Sequence, residues 1–255
     1  MAIALPPAKV LVTGANGYLG MWIVRTLLEQ GYSVRVTVRV ASKGTSNGTL
    51  PSVFIKPAIQ GTTGILQSAF EFGSNIKRVV ITSSAAWKFY EKNKSKLNWD
   101  LTVVIPPVLL EPGIQEIPGG PSDLNASFKW LYESTLNTLA QTQEFLGNSS
   151  VWVDVRDAAR GHMLALQKED AGGECIIVST GPFVWQDLAD AASALNPWPL
   201  PNHPAPKGNL ELERTYFTYF KTEKRERILG MVQSEMKTME EPVKDALEDF
   251  AQRGW

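Results

Sequence analysis

The spacing of hydrophobic and polar positions changes along this chain in a way that marks its elements. Lys9-Val10-Leu11-Val12-Thr13 is a short, nearly continuous apolar run, the pattern of a buried parallel strand. It runs straight into Gly14-Ala15-Asn16-Gly17-Tyr18-Leu19-Gly20. From Met21 to Gln30, Trp22, Ile23, Leu27 and Leu28 fall near one face of a helix that Gly31 ends. Val34, Val36 and Val38 alternate over Ser33 to Val38 and predict a second strand. Strand, turn, helix and strand open a doubly wound α/β sheet.

The pattern then weakens and recovers. Ser42 to Gly48 lacks large apolar side chains and reads as loop, and Val53-Phe54-Ile55 is a short candidate strand stopped by Pro57. A helix is expected from Ala58 to Phe72, a strong third strand from Lys77 to Ser84, and a helix from Ala85 to Lys94. Leu101 to Ile105 is a further strand, ended by Pro106-Pro107. Beyond it, Glu111 to Pro121 is rich in Pro and Gly, and Asp123 to Phe145 is helical in part. Val151-Trp152-Val153 reads as a strand, with Asp154 or Asp157 capping a helix that carries Ala158, Ala159, Met163, Leu164 and Leu166. Glu174 to Ser179 is a strand, Trp185 to Leu195 a helix, and Asn196 to Pro206 a Pro-rich linker. Lys221 to Arg227 reads as a solvated helix face. Val243, Ala246, Leu247 and Phe250 give Glu240 to Arg253 one apolar stripe.

Composition narrows the class. With 255 residues, 44% hydrophobic and 20% charged, the chain can bury a core without staples. A formal net charge of -1 gives no support to nucleic-acid binding. Cys175 is the only cysteine, which excludes an intramolecular disulfide and a cysteine zinc site. His162 and His203 have no nearby ligand pattern. No apolar run reaches about 18 residues, so no membrane span is expected, and Met1 to Pro7 lacks the features of a signal peptide. A cytoplasmic protein is the expectation.

Gly14, Gly17 and Gly20 are the first candidate chemistry. Glycines between a strand and a helix permit a tight turn and let backbone N–H groups approach a pyrophosphate at the helix N-terminus. The same turn would also serve as packing alone in an α/β protein. After the second strand come Arg39 and Lys43, with no Asp or Glu from Gln30 to Gln60. In a dinucleotide fold that strand end faces the adenosine ribose, where an arginine suits a 2′-phosphate; loop charges are the plain alternative. Hence the cofactor expected is NADP(H) and not NAD(H). Ser83-Ser84 ends a buried strand at the edge where open α/β sheets hold ligands. Ser84 could orient a substrate carbonyl, cap the following helix, or do both. A reductase also needs a proton donor and a cation to lower its pKa, often as Tyr-x-x-x-Lys on one helix. Tyr90 and Lys94 have that spacing, but Tyr90 follows Ser84 by only six residues, and a solvated helix end is the better reading.

Thr13-Gly14-Ala15-Asn16-Gly17-Tyr18-Leu19-Gly20 with Val34-Arg35-Val36-Thr37-Val38-Arg39 closely resembles the extended short-chain dehydrogenase/reductases. The nearest branch looks like the fungal NADPH-dependent aldehyde and ketone reductases, related to plant dihydroflavonol reductases. Lys56-Pro57-Ala58-Ile59-Gln60-Gly61-Thr62, Arg78-Val79-Val80-Ile81-Thr82-Ser83-Ser84, Val153-Asp154-Val155-Arg156-Asp157-Ala158-Ala159 and Arg253-Gly254-Trp255 extend the match over most of the chain. The resemblance implies an α/β, Rossmann-like doubly wound parallel sheet with a small C-terminal mixed substrate domain. It implies a monomer or homodimer that reduces a small carbonyl substrate with NADPH, with no nucleic-acid or membrane partner. By it, Gly14, Gly17 and Gly20 hold the pyrophosphate, with Thr13, Asn16, Tyr18, Leu19 and Pro107 beside the cofactor. Arg39 and Lys43 take the 2′-phosphate, and Ser84 matches the catalytic serine.

The chain also departs from the family pattern. A block between Lys43 and Phe54, which should carry two strands, is absent. So is a block between Ser84 and Trp87, which should carry the catalytic tyrosine and lysine; Tyr90 and Lys94 match the tail of that helix instead. Glu111 replaces a glycine before Pro112. Only about 20 residues join Arg39 to the helix near Ala58, where a strand-helix-strand excursion needs about 30 or more. Either Val53-Phe54-Ile55 fills the fourth sheet position or the sheet carries an exposed gap and low stability. The expected organisation is an incomplete dinucleotide-binding domain over 1–107, with 148–170 folding back onto it. A smaller substrate-side domain takes 108–147 and 171–255. Three functions stand open: an NADP-dependent oxidoreductase, a nucleotide-binding protein without catalysis, and a chain that does not fold alone.

Overall fold

A computed structural model describes residues 3–38, 56–82, 85–110, 113–117, 119–137, 139–209 and 211–255. Strand β1 (Lys9–Thr13) leads through the glycine turn into helix α1 (Tyr18–Glu29), and β2 (Ser33–Thr37) returns parallel to β1, Val12 opposite Val36. Helix α2 (Lys56–Phe72) precedes β3 (Arg78–Ile81), α3 (Ala85–Asn93) and β4 (Asp100–Ile105). Next come β5 (Val108–Leu110), α4 (Ala126–Thr135), α5 (Gln143–Gly147), β6 (Ser149–Asp154) and α6 (Val155–Gln167). Strands β7 (Cys175–Ile177) and β8 (Gly181–Val184), then α7 (Trp185–Ser193) and α8 (Glu240–Arg253), complete the chain.

The strands form three groups among the described residues: β1-β2, β3-β4-β7, and β5-β6-β8. Every pair is parallel except β6 with β8. This is an open α/β arrangement of the doubly wound kind, with additional C-terminal elements. Leu66, Ala69, Ala86 and Tyr90 from α2 and α3 cover one face of β4 through Leu101 and Val103. On the other face, Val104 meets Ala158 and Ala165 of α6 and Ile176 of β7. The largest cluster joins β5, β6 and β8 to α4, α7 and α8 through Leu110, Phe128, Trp152, Phe183, Leu188 and Phe250.

Helix α6 sits at the centre. It packs against α1, β3, β4, β5 and β6. Asp154 caps it, its carboxylate accepting from the Arg156 amide at 2.8 Å. Its C-terminal carbonyls are held by a buried arginine. Arg78 pairs in two-pronged fashion with Asp100, Nε to Oδ1 at 2.6 Å and Nη2 to Oδ2 at 2.8 Å. The same guanidinium donates to the carbonyls of Ala165, Lys168 and Glu169. Removed from water, this pair is kept by its complete set of partners.

Among the described residues, the β1–β2 unit is covered on one face. Val10, Val12 and Val34 turn towards Leu27 of α1 and Met163 of α6. Lys9, Leu11, Thr13, Ser33, Arg35 and Thr37 point the other way, and all are exposed, Leu11 by 61%. Among the described residues β1 pairs with β2 alone. Val53-Phe54-Ile55 lies outside the described residues.

Two expectations are corrected. Arg225 is not part of a solvated helix face. Its side chain is fully buried in a π-helical turn, Arg225–Leu229, and donates to the Ser179 carbonyl, Glu226 and Gln233. Tyr90 is not at a solvated helix end either: it is buried between Trp87 and Trp99.

Candidate functional site

The glycine turn joins the C-terminal end of β1 to α1, and its geometry follows from three glycines. Gly14 has φ +68, the left-handed region that glycine enters without a Cβ clash. The Gly17 amide closes the turn on the Gly14 carbonyl at 2.9 Å, and the Ala15 amide ties it to Thr37 at 3.1 Å. A Cβ at Gly17 would lie 3.2 Å from the Gly14 oxygen, and one at Gly20 would collide with that oxygen. The turn is therefore backbone against backbone.

Gly17 is also the N-cap of α1 and brings no capping side chain, and no acidic residue stands in the first turn. The first amides of a helix have no intrahelical partner, and the macrodipole adds partial positive charge there. Such an end suits an anion, a pyrophosphate among them. Thr13, Asn16 and Gly17 are exposed at this edge, while Tyr18 and Leu19 are half-buried. The Tyr18 ring stacks on Phe128 of α4 at 6.1 Å, and Leu19 packs beside Val155 and Ala159. An open apolar groove of about 310 Å³ adjoins the turn, lined by Ala15, Asn16, Met21, Val24, Val36 and Val38.

The C-terminal ends of β3 and β4 form the rest of the edge. Pro107 is half-buried between β4 and β5. Thr82 follows β3 and is exposed, yet its hydroxyl meets the buried His162 of α6, Oγ1 to Nε2 at 2.7 Å. Burial holds the His162 imidazole down at a pKa of about 4, against a smaller upward pull from the Ala158 carbonyl, so the ring is neutral at pH 7. Sequence reading passed over His162 because it searched for ligand clusters. The informative signal was its place on the apolar face of the helix, four residues after Ala158.

Arg39, Lys43 and Ser84 lie outside the described residues. Tyr90 and Lys94 do not come together as a donor and its cation. The tyrosine packs in the α2–α3 core, and Lys94 binds Glu91 at 2.9 Å on the exposed side. Trp185 is buried, and Trp198 and Trp255 pack against the same core. No group of three or more His, Cys, Asp or Glu side chains among the described residues could hold a metal, and no described helix is long and apolar enough to cross a membrane.

Residues 10–49 match the NAD dependent epimerase/dehydratase family. Ketoreductase azaE of Aspergillus niger is 24% identical, over 74% of this chain and 82% of its own. Cinnamoyl-CoA reductase 2 of Arabidopsis thaliana is 26% identical, over 82% and 84%. These alignments run over 282 and 290 positions, longer than the 255 residues here, so they cross segments that this chain lacks. Among solved structures, yeast methylglyoxal/isovaleraldehyde reductase Gre2 complexed with NADPH superposes with a TM-score of 0.73. It is 20% identical, over 96% of this chain and 99% of that one. Turn, sheet and relatives agree: the chain has a Rossmann fold similar to that of the short-chain dehydrogenase/reductases and is related to fungal and plant aldehyde and ketone reductases.

Proposed function

We propose that this chain binds NADP(H) at the Gly14–Gly20 turn and is an oxidoreductase for the carbonyl or secondary alcohol group of small aldehydes or ketones. The observation that carries the reading is the N-terminus of α1, which starts at a glycine cap with no acidic residue in its first turn and follows a tight glycine turn. Gly14, Gly17 and Gly20 let the pyrophosphate approach, and Thr13, Asn16, Tyr18, Leu19 and Pro107 flank it. Arg39 and Lys43 take the 2′-phosphate, and Ser84 orients the carbonyl oxygen. The bound dinucleotide supplies the hydride equivalent. Relatives named for ketone, cinnamoyl-CoA and methylglyoxal reduction support the substrate class. The resemblance to the short-chain reductases supports a cytoplasmic monomer or homodimer, and no described helix is long and apolar enough to cross a membrane.

A second reading has its own observation. With Tyr90 buried against tryptophans and Lys94 paired to Glu91, these two residues do not form a tyrosine–lysine pair. On this reading the chain binds NADP(H) without turnover. A fluorescence titration with NADPH and NADH tests the shared part: saturable binding that prefers NADPH is expected, and no binding to either overturns both readings. NADPH oxidation with a small aldehyde then separates them. Turnover that Ser84→Ala abolishes supports the enzyme, and absence of turnover supports the binder.

A further inference from the structure

His162 is a buried group with no part in the function proposed above, and its two hydrogen bonds fix its chemistry. Nδ1 lies 2.7 Å from the Ala158 carbonyl, and a carbonyl only accepts, so Nδ1 carries the proton. Nε2 is then a bare acceptor, and the Thr82 hydroxyl, 2.7 Å away, must donate to it. The Thr82 hydrogen therefore points into the protein. Its oxygen keeps its remaining lone-pair capacity at the exposed C-terminal end of β3, the edge where open α/β sheets bind ligands.

We infer that Thr82, oriented by His162, is a hydrogen-bond acceptor for a hydroxyl or amide N–H of the bound dinucleotide, with His162 as its positioning residue. The inference rests on the NADP(H) reading and adds to it a polarity. A serine or threonine hydroxyl ordinarily rotates to give or to take a hydrogen bond, whereas this one is committed inward and offers only lone pairs outward. Ligand donors are matched there and ligand acceptors are not.

The test is the affinity of the full chain for NADPH and for 2′-phospho-ADP-ribose, which lacks the nicotinamide. Thr82→Val keeps the shape and removes the hydroxyl; it should weaken NADPH about tenfold, the worth of one such bond. Thr82→Ser should stay within about twofold of the parent, a rescue that a purely steric role does not predict. A loss seen with both ligands assigns the donor to the ADP-ribose part; a loss with NADPH alone assigns it to the nicotinamide end. Unchanged affinity in a folded Thr82→Val overturns the inference alone, whereas a parent chain that binds neither ligand overturns the nucleotide reading and the inference with it. Should Thr82→Val fail to fold, ¹⁵N spectra of the parent decide. A protonated Nδ1, and an Nε2 signal that shifts when NADPH saturates the protein, support the inference, and an unmoved Nε2 signal overturns it.

Discussion

The parallel ladders around β1 and around β4 face different surroundings. Strand β4 lies in the middle of its sheet, with α2 and α3 on one face and α6 on the other, and Leu101, Val103 and Val104 are fully buried. Strand β1 has the same kind of sequence, Val10-Leu11-Val12, but α1 and α6 cover one face and water the other. Similar apolar strands thus carry unequal shares of the stability. Burial of about 25 cal/mol per Å² is a property of the surroundings, not of the residue. The glycine turn, the proposed dinucleotide site, hangs on the less supported ladder.

The contrast can be broken most severely at the buried ion pair beneath β3 and β4. Arg78→Ala leaves Asp100 charged and unpaired and strips three carbonyls of a donor. A loss of about 3–5 kcal/mol is expected in urea unfolding. Acid should reach the same half through His162. Its pKa falls from 6.5 to about 4 on folding, so the unfolded chain takes up a proton that the folded chain refuses. Stability is whole above about pH 7, drains as pH falls from 6.5 to 4, and loses about 3 kcal/mol in all. His162→Asn should flatten that slope in a series of unfolding curves.

Leucines sharpen the comparison directly. Leu101→Ala in β4 should cost about 2–5 kcal/mol, while Leu11→Ala in β1 should stay within about 0.5 kcal/mol. Equal costs would mean that β1 is covered in solution. Smallest in energy but finest in detail, amide hydrogen exchange should report lower opening free energies for β1 and β2 than for β4.

How far the sequence revealed this molecule depends on the element. Strand β1 and helix α8 fall on the predicted residues because their apolar spacing is unbroken. Strands β5 and β8 went unseen: each has three or four residues, one follows Pro106-Pro107 and the other contains Gly181-Pro182, and such short runs exist only through their partner β6. The glycine turn was legible because its requirement is local and steric. Arg78, Asp100, Arg225 and His162 were not, since a charged or titratable residue looks solvated until the fold brings its partner, and those partners lie up to 91 residues away. Tyr90 and Lys94 show the converse: correct spacing on a helix, defeated by the company each keeps.

Helix α6 has a consequence for descent. It touches α1 on one flank and β3, β4 and β6 on the other, so both ladders are seated on it independently of any strand between them. A lineage can therefore shed strand-helix units beside β2 and retain the platform on which its neighbours rest. Selection for a foldable product passes such a chain, whereas selection for turnover inspects groups that the platform does not hold. Shape can then outlast chemistry in such a chain.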